Sequence, residues 1–469
     1  LQQRLNLTDE RFAKLPGDAL QHSGNFSRLD EQEVDSTTPS CYKSVSFFAN
    51  YLVRHSLIIP GLVLSLLIIG VSGANCYASQ GRLSDTTGIA EIMPSSRPAT
   101  HLQDIADVFK HWFPRLPITP HDSSSLQEGK HFVLIIPQIG YTLQTRGLVA
   151  VVVNAAFRKP RANMSSMTVN LSYTQNNQVI LMANSAIWSA DNRFLWTNDW
   201  RLMHYPQATY GLGMFTSTDR VINMDYAYNR LYQSLLRRLA ENFYAGVGYN
   251  LDLHWNIDSY NSRREVTRIS RYPFGVVGRS ISSGPTLHLL YDNRHNAINP
   301  SGGLYVNAVF RANMSALGSD ETYQSLLVEA RKYVHLPSRS DNILAFWSYN
   351  ALTLDGDPPF LDLPSTGWDN SGNVGRGFIQ GRFRGKKLLY AESEYRFHIT
   401  NDRLLGGVVF ANAQTVTEQT SGQFEKIVPA VGAGLRLKMN KVSRTNLSVD
   451  YGFGFDGSSG LFFNLGEVF

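Results

Sequence analysis

From about residue 131 onward, apolar and polar residues alternate one by one over long stretches. In FYAGVGYNLDL, Phe243, Ala245, Val247, Tyr249, Leu251 and Leu253 fall on one side, and Tyr244, Gly246, Gly248, Asn250 and Asp252 on the other. VGAGLRLKM sets Val431, Ala433, Leu435, Leu437 and Met439 against Gly432, Gly434, Arg436 and Lys438. NLSVDYGFGF sets Leu447, Val449, Tyr451, Phe453 and Phe455 against Ser448, Asp450, Gly452 and Gly454. A period of two means strands with one apolar and one polar face. Runs of about nine residues or more exceed the usual sandwich strand and reach the length a tilted strand needs to cross a bilayer. The pattern predicts about sixteen strands: 131–142, 147–158, 165–174, 178–189, 192–204, 222–236, 239–256, 283–292, 302–313, 321–334, 342–354, 387–399, 402–416, 427–440, 443–455 and 460–469.

The connections sort by parity. After even strands they are short, as in ADN, INPSGG, TND and NKVS; the long ones, near 205–221, 257–282 and 355–386, all follow odd strands. Outer-membrane barrels have even strand numbers, short periplasmic turns and long external loops. A soluble sandwich has no reason to sort its loops this way. The expected fold is therefore all-β: a 16-stranded antiparallel transmembrane β-barrel over residues 131–469, with both ends periplasmic.

Composition agrees. Charged residues are 17% and aromatics 12%, yet mean hydropathy is only −0.19; alternation cancels in any window average. The formal net charge of +5 is mild, and no basic cluster interleaved with aromatics points to nucleic acid. His101 and His111 lack a third ligand in metal spacing. No G-x-S-x-G or H-E-x-x-H motif is present, so neither enzyme, metal nor cofactor is expected.

The one long apolar run, Leu57–Val71, is short for a membrane helix and fits a signal-peptide core, with Ala74 and Ala78 as candidate cleavage positions. No Met precedes Met93. Residues 1–51 are read as an upstream extension foreign to the mature protein, 52–78 as the signal peptide, and 79–130 as a short periplasmic segment with one helix near 101–113. Cleavage after Ala78 would remove both Cys41 and Cys76, which suits an oxidising compartment.

Candidate chemistry lies late in the chain. NVGRGFIQGRFRGKK, residues 373–387, is basic and glycine-rich, but its spacing misses both the dinucleotide fingerprint and the phosphate loop. The next strand, KLLYAESEYRFHI, puts Leu389, Ala391, Ser393, Tyr395 and Phe397 toward lipid and Glu392, Glu394, Arg396 and His398 toward the lumen. A loop that folds back into an acid-lined lumen lets Arg376 make charge-assisted hydrogen bonds there.

These residues resemble a known family. Arg376-Gly377-Phe378, followed by Gly381, a basic stretch and Glu394-x-Arg396, is similar to the loop-six and strand-twelve motifs of the outer-membrane barrel assembly-factor superfamily (bacterial surface antigen family). YDNRHNAINPSGG, with Asp292, Arg294, Asn296, Pro300 and Gly303, resembles its mid-barrel turn, and LGSD (317–320) and GWDNSGNVGRGF also look similar. The resemblance implies a barrel whose loop six is folded into the lumen and locked by Arg376, Gly377 and Phe378 against Glu392 and Glu394. Where the family has Asp on strand thirteen, this chain has Asn412, which brings no charge; the acids of strand twelve would then carry the pairing, and Asn412→Asp would tighten it. The terminal aromatic Phe469, on a face shared with Leu461, Phe463 and Leu465, resembles the C-terminal barrel assembly signal. Residues 79–130 are too few for the family's periplasmic client-binding domain.

The resemblance implies an outer-membrane protein of a Gram-negative bacterium that assists insertion or translocation of proteins or lipids. Its surroundings are outer-membrane lipid and an unidentified periplasmic partner or client protein. The alternative reading is a passive pore or structural barrel.

Overall fold

The computed structural model describes residues 102–112, 131–142, 144–260, 272–338, 340–441 and 443–469. The expected upstream extension and signal peptide, and most of 79–130, lie outside the described residues.

Sixteen antiparallel strands follow one another: β1 His131–Thr142, β2 Arg146–Arg158, β3 Met164–Thr174, β4 Val179–Trp188, β5 Phe194–His204, β6 Ile222–Ala240, β7 Phe243–Tyr260, β8 Gly278–Asp292, β9 Gly303–Asn313, β10 Tyr323–His335, β11 Ile343–Gly356, β12 Lys387–His398, β13 Leu405–Val416, β14 Val428–Asn440, β15 Thr445–Gly454 and β16 Ser459–Leu465. Each pairs with the next, giving a nearly closed barrel. Residues Gln207–Thr209 continue the pairing of β5 along β6.

Most boundaries shift from the sequence pattern by a few residues, and three of the larger shifts have clear physical reasons. β6 runs on to Ala240 because its turn is made at Glu241 and Asn242, where Asn242 takes φ +58°. β8 begins at Gly278, five residues early; its inward side chains there are Ser280 and Ser282, fully buried but polar, so they show no apolar alternation. β16 stops at Leu465, and the last four residues turn into the lumen.

Alternation sets the two faces. On β12 the even positions from Leu388 to Arg396 are buried and the odd ones are not. On β7 and β8, Val247, Leu287 and Leu289 are exposed on the outer face, where lipid covers them.

The lumen is partly filled, with a cavity left between the inner faces of β1–β3 and the C-terminus. The β11–β12 loop, loop six (357–386), lies inside the lumen, and its apolar residues make two small cores. Phe360, Leu361 and Leu363 pack with Tyr226, Tyr228 and Ile257 on one wall. Val374, Phe378 and Phe383 pack with Trp347, Tyr390, Ala430 and Phe469 on the other.

Among the described residues, one α-helix, α1 (Ile105–Trp112), precedes the barrel. It starts later than the sequence suggests because Asp104 is its cap: Asp104 Oδ1 accepts the amides of Ala106 (3.1 Å) and Asp107 (3.2 Å). Asp104 Oδ2 also accepts Lys441 N at 3.0 Å, and Lys441 Nζ reaches Asp107 Oδ2 at 2.8 Å, tying α1 to the β14–β15 turn.

Candidate functional site

Loop six meets the wall at its glycines. Gly375 (φ +83°) and Gly377 (φ +106°) hold backbone angles that L side chains rarely adopt. A Cβ on Gly377 would lie 2.9 Å from Ala430 Cβ, and one on Gly452 would lie 2.7 Å from Gly377 N. The glycine-rich inner face of β14 and β15 thus lets loop and wall backbones touch. Phe378 fills the space that a side chain at Gly454 would need and packs edge-on to Phe383, with centroids 5.6 Å apart.

That approach delivers Arg376, fully buried, into a nest of acids. Its guanidinium donates to Asp450 Oδ2 at 2.6 Å and to the carboxylates of Glu392 and Glu394, and it stacks over the Phe410 ring at 3.8 Å. The acids are shared further. Tyr390 donates to Glu392; Arg396 Nε donates to Glu394 at 2.7 Å; Arg436 donates to Asp450 Oδ1 at 2.5 Å and to Glu467 at 2.8 Å. Three arginines and four carboxylates form one buried network, the arrangement in which buried charge is tolerable.

Asn412 is placed on this network, but as a donor. Its Nδ2 gives one hydrogen bond to the Arg376 carbonyl (2.9 Å) and one to Glu392 Oε2 (3.4 Å). The additional negative charge comes from β15, through Asp450, which the sequence reading left out of the site. The signal was available: Asp450 is the one acid on the glycine-rich polar face of β15.

The resembling turn at 292–303 lies apart from this network. Arg294 chelates Asp292 through Nε (2.9 Å) and Nη2 (2.8 Å) and stacks over Tyr305 at 4.3 Å. Asn296 Oδ1 accepts the amides of Ile298 and Asn299, while its Nδ2 reaches Ser443 O at 3.2 Å. Pro300 is buried, and Gly303 takes φ +106° where a Cβ would crowd Asn293 O at 2.9 Å. This turn joins β8 to β9 and reaches the β14–β15 turn.

Phe469 is not on the outer face with Leu461, Phe463 and Leu465. The chain turns inward at Gly466 (φ +107°), and Phe469 stacks on Trp347 with centroids 5.2 Å apart while Arg396 donates to its backbone oxygen at 2.9 Å. The reason lies two residues earlier. An unbroken strand would aim Glu467 at lipid, whereas the turn sets it on Arg436.

Fold and lumen contact together define a class: a sixteen-stranded outer-membrane barrel with loop six held inside it. The Omp85 superfamily domain matches residues 141–469, and the chain belongs to that superfamily. The family places it in the outer membrane of a Gram-negative bacterium. Among solved structures the chain is similar to BamA from Haemophilus ducreyi lacking POTRA domains 1–3 (16% identity, 72% of this chain and 70% of that one, TM-score 0.48). It is also similar to CdiB from Acinetobacter baumannii (13% identity, 72% and 60%, TM-score 0.44) and CdiB from Escherichia coli (11%, 77% and 72%, TM-score 0.46). No curated protein matches it.

Proposed function

We propose that this protein assists the insertion or translocation of proteins or lipids at the outer membrane, by opening its wall between the first and last strands. One observation carries the reading. Fifteen neighbouring strand pairs are joined by backbone ladders, but among the described residues no ladder joins β16 to β1. β16 has seven residues against twelve in β1, and Pro137 removes a donor from β1. Unpaired strand edges are templates for another strand. In this reading Arg376, Gly377 and Phe378 lock loop six to the β12–β15 wall, so the neighbouring seam between β16 and β1 can part while loop six stays in the lumen. No catalytic step is part of it.

The test is the rate at which a urea-unfolded eight-stranded outer-membrane barrel inserts into vesicles containing this protein. Faster insertion than into empty vesicles is expected. An unchanged rate together with a steady open conductance would instead support a passive pore.

A further inference from the structure

The periplasmic turns on one side of the barrel carry more positive charge than their own acids neutralise. Arg158, Lys159, Arg161, Arg193, Arg237 and Arg238 stand there against only Asp191 and Glu241. They are exposed; the side chains of Arg161 and Arg193 are 82% and 72% accessible. Arg161 and Arg193 share Asp191, while Arg158, Lys159, Arg237 and Arg238 form no ion pair with a described acid. Elsewhere on the same rim Arg294 pairs with Asp292, Arg403 with Asp341 and Lys441 with Asp107, while Arg444 stands exposed without an ion pair to a described acid.

The three turns are also knitted together. Arg161 Nε bonds Asp191 Oδ1 at 2.6 Å, Asp191 N bonds Pro160 O at 3.1 Å, and Asn163 and Asn192 bond each other. Arg238 N donates to Arg193 O at 2.9 Å, joining the β4–β5 turn to the end of β6. Below them Ala162 packs in an apolar cluster with Trp188, Leu195, Leu236 and Tyr244. The backbone that carries the bases is therefore a braced platform, which keeps them clustered before any ligand arrives.

The platform's height in the membrane selects its ligand. Arg237 lies on the outer face of β6 between Leu235 and Leu239, which are 52% and 62% exposed, and it pairs across the ladder with exposed Phe194. The lipid-facing apolar band ends at this level. An arginine there lays its stem on the hydrocarbon and its guanidinium among the headgroups. We propose that this platform binds the phosphodiester headgroups of anionic phospholipid in the periplasmic leaflet. It is a surface separate from the loop-six contact and independent of the seam.

Native mass spectrometry of the delipidated protein, titrated with phosphatidylglycerol or phosphatidylcholine of equal chain length, tests this. Phosphatidylglycerol should be retained preferentially, and each basic residue removed should weaken retention by roughly fivefold. Arg237→Gln and the combined Arg158→Ser, Lys159→Ser, Arg237→Ser, Arg238→Ser variant should lose the preference in proportion. Arg403→Ser with Lys441→Ser, where the bases are already paired, should keep it. Heat-modifiable migration on gels reports that each barrel is folded, and the single variant stands if the fourfold one does not fold. Equal retention of the two lipids by the wild type, or an unchanged preference in folded Arg237→Gln, would overturn the proposal. So would a platform variant that loses capture of an acidic protein while keeping its phosphatidylglycerol.

Discussion

Arg376 faces three carboxylates, and each is shared with another donor, so its removal strands several charges at once. Truncating one partner of a buried pair typically costs about 3–5 kcal/mol, less where water can enter. Arg376→Ala should free loop six, and limited proteolysis in detergent should show faster cleavage within 357–386. Asp450→Asn should act in the same direction, which separates this network from one resting on β12 alone. Asn412→Asp should loosen the loop, opposite to the expectation from sequence. The Asn412 amide donates to a carbonyl and to Glu392, and a carboxylate would set acceptor against acceptor. Glu392 and Glu394 were legible at this scale because strict alternation assigns them a face. The donor role of Asn412 was not, since composition cannot tell which end of an amide is used.

Loop six is an element with two attachments. Its second half is held by Arg376. Its first half is closed on itself by fully buried Arg384, whose Nη1 donates to the carbonyls of Phe360 (2.8 Å), Leu361 (3.3 Å) and Leu363 (3.2 Å). Arg384→Met should therefore open cleavage around residues 358–364 before the stretch around Arg376, and mass mapping of early fragments would show the order. Helix α1 gives a pH test outside the membrane. Burial raises the Asp107 carboxyl, but its bonds to Lys441 and to the Asp104 backbone prevail and hold it below the usual 3.8. A depressed carboxylate stabilises docking above its unfolded pKa and loses that contribution as pH falls through the folded one. Hydrogen exchange of 105–112 should be steady at neutral pH and rise only in acid below the usual carboxylate range, while Lys441→Met should raise it already at neutral pH. Strand elements were legible wherever the inner face is small or charged and the outer face apolar. They were missed where serines line the lumen, as at Ser280 and Ser282, and where Glu467 turns the last strand inward, because a lumen contact from a distant strand leaves no periodic mark.

At the scale of the whole molecule, the braced wall runs up to a seam that carries no ladder among the described residues. Loop six, the β12–β15 wall and the inturned C-terminus share one charge network, whereas β16 and β1 face each other without a ladder among the described residues. Alternation made the sixteen strands legible, and loop parity put the long connections at one end of the barrel. The seam was foreshadowed only by Pro137 and Gly466, since closure is a property of register around the whole sheet. The central claim is that this seam opens. The direct measurement is insertion of the urea-unfolded eight-stranded barrel by a variant carrying Ile139→Cys in β1 and Phe463→Cys in β16, joined by a long bifunctional maleimide. Tethering should abolish the acceleration, and a cleavable spacer should restore it on reduction. Full acceleration by the tethered protein would contradict the account.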